Sequence, residues 1–127
     1  MRVLLIDDSR AVRSHVKRML TSFGATCTEA GDGKQALERL ETDGPFDLAL
    51  IDYVMPELDG PGFLRAIQGM SKASTMKKLM VTSMTSHEHV MTALECGADD
   101  YLMKPFTADV LVEKLRLLDF DCELPTQ

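Results

Sequence analysis

The chain has 127 residues, 45% of them hydrophobic and 27% charged, which favours one domain with a single core. Its net charge of -6 argues against nonspecific binding to DNA or RNA, because no overall positive field attracts phosphates. No apolar run is long enough for a membrane-spanning helix. The three cysteines, Cys27, Cys96 and Cys122, are widely spaced and form neither a zinc motif nor a disulfide pattern.

The N-terminus carries a short apolar run, 3–6, that is followed at once by acids. A secretory signal has a longer apolar core and a small-residue cleavage site. We therefore expect a cytoplasmic protein, and reduced thiols fit that compartment.

Apolar runs alternate with helical patterns from the first residues onward. Residues 3–6 predict a buried strand, and residues 10–22 predict a helix that Gly24 stops. A short strand near 25–30 follows, and then a helix that ends near 44–45. The first half of the chain therefore predicts two strand–helix pairs.

The second half continues the alternation. Its predicted strands are 48–51, 78–82 and 101–103. Its predicted helices follow Gly62, end before Gly97, and carry Leu111, Leu115 and Leu118. Five such pairs predict a doubly wound α/β domain, a parallel sheet with helices on both faces, over residues 1–120 with a short tail at 121–127.

Polar side chains follow four of the predicted strands. In such folds ligands bind at the carboxyl ends of the strands, near the point where the strand order reverses. Three carboxylates there would repel one another and need a hard cation such as Mg²⁺, while a hydroxyl and an amine could bind a phosphoryl group. The set suits phosphoryl transfer to a carboxylate. Its members are Asp7, Asp8, Asp52, Thr82 and Lys104.

Each of these residues alone also has a structural explanation. Asp7 and Asp8 could cap the first helix, since acids favour helix N-termini. Asp52 could simply end a strand, Thr82 could be structural, and Lys104 could be a solvated charge. Their common placement at one edge of the sheet favours the functional interpretation.

Four segments resemble the response-regulator receiver domain. They are VLLIDDS at 3–9, LALIDYVMPELDG at 48–60, LMVTS at 79–83 and GADDYLMKPFTADVLVEKL at 97–115. The resemblance covers nearly the whole chain and is greatest to the stand-alone chemotaxis type. It implies a flavodoxin-like fold with strand order 2-1-3-4-5.

The resemblance also implies a role for each site residue. Asp52 would accept a phosphoryl group from a histidine kinase. Asp7, Asp8 and Asp52 would bind Mg²⁺ together with the backbone carbonyl of Val54. Lys104 would pair with the acyl phosphate. The protein would then be a switch and not an enzyme, because it catalyses only its own phosphorylation and dephosphorylation.

A second group of residues would transmit the signal. Thr82 would donate its hydroxyl to the phosphoryl group, and Tyr101 would follow the movement of Thr82. The fourth helix, fifth strand and fifth helix, roughly 86–118, would change and present a face to a downstream target or output domain. The same face is a candidate dimer surface. The net charge and the lack of a long apolar run predict no direct contact with nucleic acid and no membrane insertion. The resemblance implies that the Lys104–Pro105 peptide is cis.

The sequence departs from well-known family members at two positions. Val54 and Met84 lie two residues after Asp52 and Thr82, where polar residues help to guide the hydrolytic water. We therefore hypothesise slow loss of the phosphoryl group, and hence a long-lived signal or a need for a helper phosphatase.

Other functions stay open from the sequence alone. A Mg²⁺-dependent phosphohydrolase with an aspartate nucleophile would want a second acid at position 54, which is Val54. A phosphate-independent interaction module would not need the acids. The chain could also be the receiver of a longer regulator. The histidines, His15, His87 and His89, are interpreted as surface residues.

Overall fold

A computed structural model of the chain describes residues 1–83 and 87–121. Met84 and the tail from Cys122 onward lie outside the described residues. The strands are β1 (Arg2–Ile6), β2 (Thr26–Ala30), β3 (Leu48–Asp52), β4 (Lys77–Thr82) and β5 (Asp100–Met103). The helices are α1 (Arg10–Ser22), α2 (Gly33–Asp43), α3 (Gly60–Ala66), α4 (His87–Glu95) and α5 (Ala108–Leu117). The predicted alternation is confirmed, with one unpredicted 3-10 turn at Ser71–Ala73.

The five strands form one parallel sheet in the order β2-β1-β3-β4-β5, so the predicted fold class is confirmed. The chain leaves β1 towards β2 and then returns to place β3 on the other side of β1. The strand order therefore reverses between β1 and β3, and the carboxyl ends of these two strands frame the crevice where ligands bind in such folds.

The core lies in two layers, one on each face of the sheet. Alternate residues of β1 point to opposite sides: Leu4 and Ile6 pack in one cluster, Val3 and Leu5 in the other. All five residues of β3 are buried, including Asp52. A strand covered on both faces is apolar throughout, so the carboxylate at its end is an exception that needs a partner.

The first residues of α1 show whether Asp7 or Asp8 caps that helix. Ser9, and neither acid before it, caps α1, because its Oγ accepts a hydrogen bond from the backbone N–H of Val12 at 3.3 Å. Asp59 caps α3 in the same way, at 2.8 Å from the nitrogen of Gly62. α3 begins at Gly60, earlier than predicted, since Pro61 fits the first turn of a helix.

The helices differ in how much of their surface they bury. α5 buries Leu111, Val112 and Leu115, whereas of the nine residues of α4, all of them described, Ala93 alone is buried. Within the described ranges, no helix combines the length and the apolar character that crossing a bilayer would require.

Candidate functional site

Three acids meet at the carboxyl edge of the sheet. Asp7 and Asp8 follow β1, and Asp52 ends β3. One carboxylate oxygen from each lies within 4.8 Å of the others. Asp7 and Asp52 are buried, with 4% and 9% of their surface exposed, whereas Asp8 is exposed. We call these residues the three-carboxylate cluster, and it is open to solvent on the side of Asp8.

Lys104 follows the edge strand β5 at the same carboxyl edge and brings a positive charge into the cluster. Its Nζ lies 2.8 Å from Oδ2 of Asp7 and 3.3 Å from Oδ1 of Asp52. Its backbone N–H donates to the carbonyl of Thr82 at 2.8 Å, which ties the residue after β5 to the end of β4. The peptide between Lys104 and Pro105 is cis, as expected.

The three-carboxylate cluster and Lys104 together carry more negative than positive charge. Burial, and then the neighbouring Asp7, raise the pKa of Asp52 from 3.8 to about 6, although Lys104 acts to lower it. Burial by itself lowers the pKa of Lys104, but its contacts with Asp7 and Asp52 outweigh burial and raise it. The pKa of both groups is therefore raised, for Asp52 by burial and then by Asp7, and for Lys104 by its contacts with the two acids. A divalent cation with oxygen ligands fits such a cluster.

Thr82 and Tyr101 lie on the two strands beyond Asp52. Asp52 is paired in register with Val81, so Thr82 is one residue further along the neighbouring strand, and it is buried. Tyr101 is half-buried, and Nζ of Lys114 stands 4.7 Å from the centre of its ring. Both predicted switch residues thus lie on the β4–β5 side of the acids.

The loop after β3 contains Val54, one of the two residues that were predicted to slow the loss of the phosphoryl group. Val54 directs its side chain outward, with 56% of the residue exposed. Met84, its predicted counterpart, lies outside the described residues. Beneath the loop, Gly60 donates its N–H to the carbonyl of Tyr53 at 3.0 Å. A Cβ at position 60 would lie 2.7 Å from the carbonyl oxygen of Asp52, so this close approach requires glycine.

The interpretation of the histidines was wrong for one of the three. His15 and His87 are exposed, but His89 is half-buried. Its ring lies 5.0 Å from that of Tyr53 at an interplanar angle of 76°, an edge-to-face contact. Its Nδ1 is buried and has no hydrogen-bond partner among the described residues. His89 therefore joins α4 to the residue that follows Asp52.

Sequence reasoning also missed Arg13. Its Nη1 donates to the backbone carbonyl of Asp7 at 2.6 Å, and its Nε pairs with Oε1 of Glu29 at 3.2 Å. Glu29 lies on β2, beside Leu5 of β1 in the sheet register. The strand order that the resemblance implies could have placed β2 beside α1 and suggested this pair.

An acidic pocket with a lysine, at the switch point of a doubly wound sheet, defines a class of α/β signalling domain. The sequence model of the response regulator receiver domain matches residues 3–116, and the chain belongs to that family. Receiver domains are phosphorylation-dependent switches of two-component signalling, and they bind Mg²⁺ in an acidic pocket. The fold and the three-carboxylate cluster fit this function, and the phosphohydrolase and phosphate-independent alternatives are not favoured.

Curated relatives fall into two kinds. The chain is 37% identical over 116 residues to the chemotaxis protein CheY of Pseudomonas aeruginosa, covering 91% of this chain and 93% of that protein. It is 38% identical over 117 residues to the response regulator MprA of Mycobacterium ulcerans, covering 92% of this chain and 49% of that protein. The chain thus spans nearly the whole of one kind of relative and about half the length of the other.

Solved structures agree with the sequence relatives. The chemotaxis protein CheY4 of Vibrio cholerae is similar with a TM-score of 0.85 at 32% identity, over 91% of this chain and 96% of that one. The receiver domain of a sensor histidine kinase from Pseudomonas aeruginosa has a TM-score of 0.83 at 28% identity, over 91% and 94% of the two chains. That domain was solved with a magnesium ion coordinated in its active site cleft.

Proposed function

We propose that Asp52 is the phosphoryl acceptor and that a histidine kinase is the donor. The observation that carries this proposal is the burial of Asp52 at the end of β3, between two further acids and 3.3 Å from Lys104. A carboxylate oxygen of Asp52 would attack the phosphorus of a phosphohistidine. The P–O bond forms as the P–N bond breaks, and the leaving imidazole takes up a proton.

The three-carboxylate cluster would hold Mg²⁺, with the carbonyl of Val54 as a further ligand. The donor set supports this assignment, because hard cations prefer carboxylate and carbonyl oxygens, and burial, followed by the charge of Asp7, raises the pKa of Asp52. When bound, the cation offsets the repulsion between the carboxylate and the incoming phosphoryl oxygens.

Lys104 would change partner during the reaction. It now lies nearer to Asp7, at 2.8 Å, than to Asp52, at 3.3 Å. Its ammonium group would pair with an oxygen of the phosphoryl group on Asp52, while Asp7 would serve as a ligand of the cation. Thr82 would donate its hydroxyl to another of these oxygens, since it lies one residue beyond the register partner of Asp52.

The response to phosphorylation would be carried by α4, β5 and α5. A phosphoryl group adds roughly -1.5 to -2 charges and three acceptor oxygens, which draw Thr82 inward and let Tyr101 follow. Large apolar side chains on α4 and α5 support a partner surface here, because each is at least 39% exposed. They are Met91, Leu94, Val110 and Leu117. The proposed users of this surface are a downstream target, an output domain or a second copy of the chain.

The proposed domain covers residues 1–120, with 121–127 as a tail; the family match to residue 116 and the end of α5 at Leu117 support it. The cytoplasmic location is likewise proposed from the family resemblance. The apolar side chain of Val54, with Met84, is proposed to slow the loss of the phosphoryl group.

Labelling with acetyl phosphate and Mg²⁺ tests the proposal. We expect one phosphoryl group per chain by intact mass, and its location on Asp52 by peptide mapping after borohydride reduction. Sustained turnover of a generic phosphomonoester would instead indicate a phosphohydrolase. Complete failure to label would indicate an interaction module that does not take phosphate.

A further inference from the structure

Arg13 is a cation close to the three-carboxylate cluster, and the proposed function assigns it no role. Its side chain is 17% exposed. The guanidinium bridges two strands, since it donates to the backbone carbonyl of Asp7 at 2.6 Å and pairs with Glu29 on β2 at 3.2 Å. Glu29 has a second partner in Lys17, at 3.4 Å, but the side chain of Lys17 is 47% exposed against 17% for Arg13, so the pair with Arg13 is better shielded from solvent.

The other polar groups of Asp7 are also occupied. Its N–H donates to the carbonyl of Ala30 at 3.1 Å. Its Oδ1 accepts from the backbone N–H of Ser9 at 2.9 Å, and its Oδ2 from Lys104 at 2.8 Å. With the bond from Arg13, every polar group of Asp7 is engaged by a neighbouring element, so its orientation is fixed.

The bond from Arg13 acts on two acids at once. The carbonyl of Asp7 belongs to the planar peptide unit that also contains the nitrogen of Asp8. Rotation of that plane would turn the backbone of both residues and move their carboxylates apart. A guanidinium can hold the plane and Glu29 together because its donors form a rigid fork, whereas the ammonium of lysine is a point charge on a flexible stem.

We propose that Arg13, anchored by Glu29, is a positioning residue that holds Asp7 and Asp8 in the geometry of the metal site. This inference rests on the proposed function, since it takes these acids to be Mg²⁺ ligands. It assigns to β2 and α1 a part in metal binding, although neither element supplies a ligand.

A purely electrostatic role and a positioning role of Arg13 predict opposite effects of Arg13→Met on Mg²⁺ binding. If Arg13 acted only through its charge, Arg13→Met would strengthen Mg²⁺ binding, because it removes a cation from beside a cation site. If Arg13 positions the acids, Arg13→Met and Arg13→Lys both weaken binding. Residues that orient metal ligands from outside typically change affinity by roughly 10–100-fold, and we expect about tenfold here.

The experiment is isothermal titration calorimetry of Mg²⁺ into the full chain. The variants are Arg13→Lys, Arg13→Met and Glu29→Gln, which weakens the anchor by replacing its ion pair with a neutral hydrogen bond and does not touch Asp7. Lys17→Met is the matched control, because it removes the other partner of Glu29 and leaves the bond to Asp7 in place. We expect weaker binding in the first three variants and unchanged binding in the control.

A second measurement separates positioning from general damage. With acetyl phosphate as donor, the Mg²⁺ concentration that gives half-maximal labelling should rise by the same factor as the dissociation constant, while the labelling rate at saturating Mg²⁺ stays unchanged. Circular dichroism and urea titration check the fold, and Glu29→Gln carries the test if an Arg13 variant does not fold.

Unchanged or tighter binding in either Arg13 variant overturns the inference and leaves the proposed function standing. So does a fall in the saturating rate without a change in the dissociation constant. If the wild-type chain itself binds no Mg²⁺, the proposed metal site fails, and the role of Arg13 fails with it.

Discussion

The two halves of the carboxyl edge are built differently. On one side, which we call the acid half (β1, β2, β3 and α1), bonds from several elements fix the acids. Asp7 alone is held by Ala30, Ser9 and Arg13 through its backbone and Oδ1. On the other side, the helix half (β4, β5, α4 and α5), the helices meet the sheet edge through aromatic contacts and through the ion pair of Lys114 with Asp100 at 3.1 Å.

These aromatic contacts are weaker and less directional than the bonds of the acid half. Tyr53 meets His89 edge to face, and Tyr101 lies under the ammonium of Lys114. α4 is anchored by one buried residue, Ala93. Segments with few buried apolar contacts open at low free energy. The proposed metal ligands thus lie in the half with the more fixed geometry, whereas the proposed partner surface lies on helices of which one, α4, buries a single residue.

The largest expected effect is in the acid half. Asp52→Asn should abolish labelling by acetyl phosphate, because an amide oxygen is not a nucleophile of comparable strength and the variant keeps the shape of the site. The measurement is intact mass. Asp59→Asn is the matched control, since asparagine also caps helices and Asp59 lies outside the three-carboxylate cluster. Labelling of Asp52→Asn at the wild-type level would place the acceptor elsewhere.

The next effect concerns the stability of the acid half without metal. Because the pKa of Asp52 is raised from 3.8 to about 6, the folded state binds more protons than the unfolded state between these values. The free energy of unfolding should therefore fall as the pH rises through that window. One pKa unit corresponds to about 1.4 kcal/mol, so the full effect is about 1–3 kcal/mol.

Urea unfolding in the presence of a chelator, across that pH range, measures this change in the free energy of unfolding. Asp52→Asn should be more stable than the wild type at pH 7 and similar below the lower pKa. Added Mg²⁺ should stabilise the wild type and reverse the difference. A wild-type stability that follows the variant at every pH would contradict the raised pKa.

A smaller effect is expected where the two halves meet. Val54→Asn with Met84→Glu supplies polar side chains at the two positions proposed to tune the loss of the phosphoryl group, and we expect hydrolysis of the acyl phosphate to speed up roughly tenfold, or ~1.4 kcal/mol in the barrier. Loss of label after removal of acetyl phosphate measures the rate. Val54→Leu is the control that keeps an apolar side chain. Equal decay in all three proteins would refute the tuning role.

The smallest effect is in the helix half. Lys114→Met removes the cation from the ring of Tyr101, a contact of about 0.5–1 kcal/mol at an exposed site, together with the ion pair to Asp100 at 3.1 Å, and should loosen that ring without affecting labelling. The chain has two tyrosines, so fluorine NMR of protein labelled with 3-fluorotyrosine gives one signal for each half. We expect the Tyr101 signal to move and the Tyr53 signal to stay. A shift of both signals would show that the halves are not separable.

The fold followed from sequence because β1, β3 and β4 carry short apolar runs that a polar residue ends, whereas β2, with the sequence TCTEA, followed from the alternation of strands and helices. The same logic brought Asp7, Asp52 and Lys104 together, since parallel strands place their carboxyl ends at one edge. Arg13 could not be found in this way, because its role depends on a backbone carbonyl and on a residue of another strand. His89 was missed because its burial arises from the ring of Tyr53, a tertiary contact that helical spacing does not encode.

The contact beneath the acceptor also limits how this sequence can vary. Gly60 lies against the backbone of Asp52 with no room for a side chain, and it contributes no ligand to the proposed site. In a saturation library selected for phosphorylation, position 60 should therefore be as intolerant as the acids themselves. An engineer who regards it as a free loop position would lose the acceptor without having altered any reactive group.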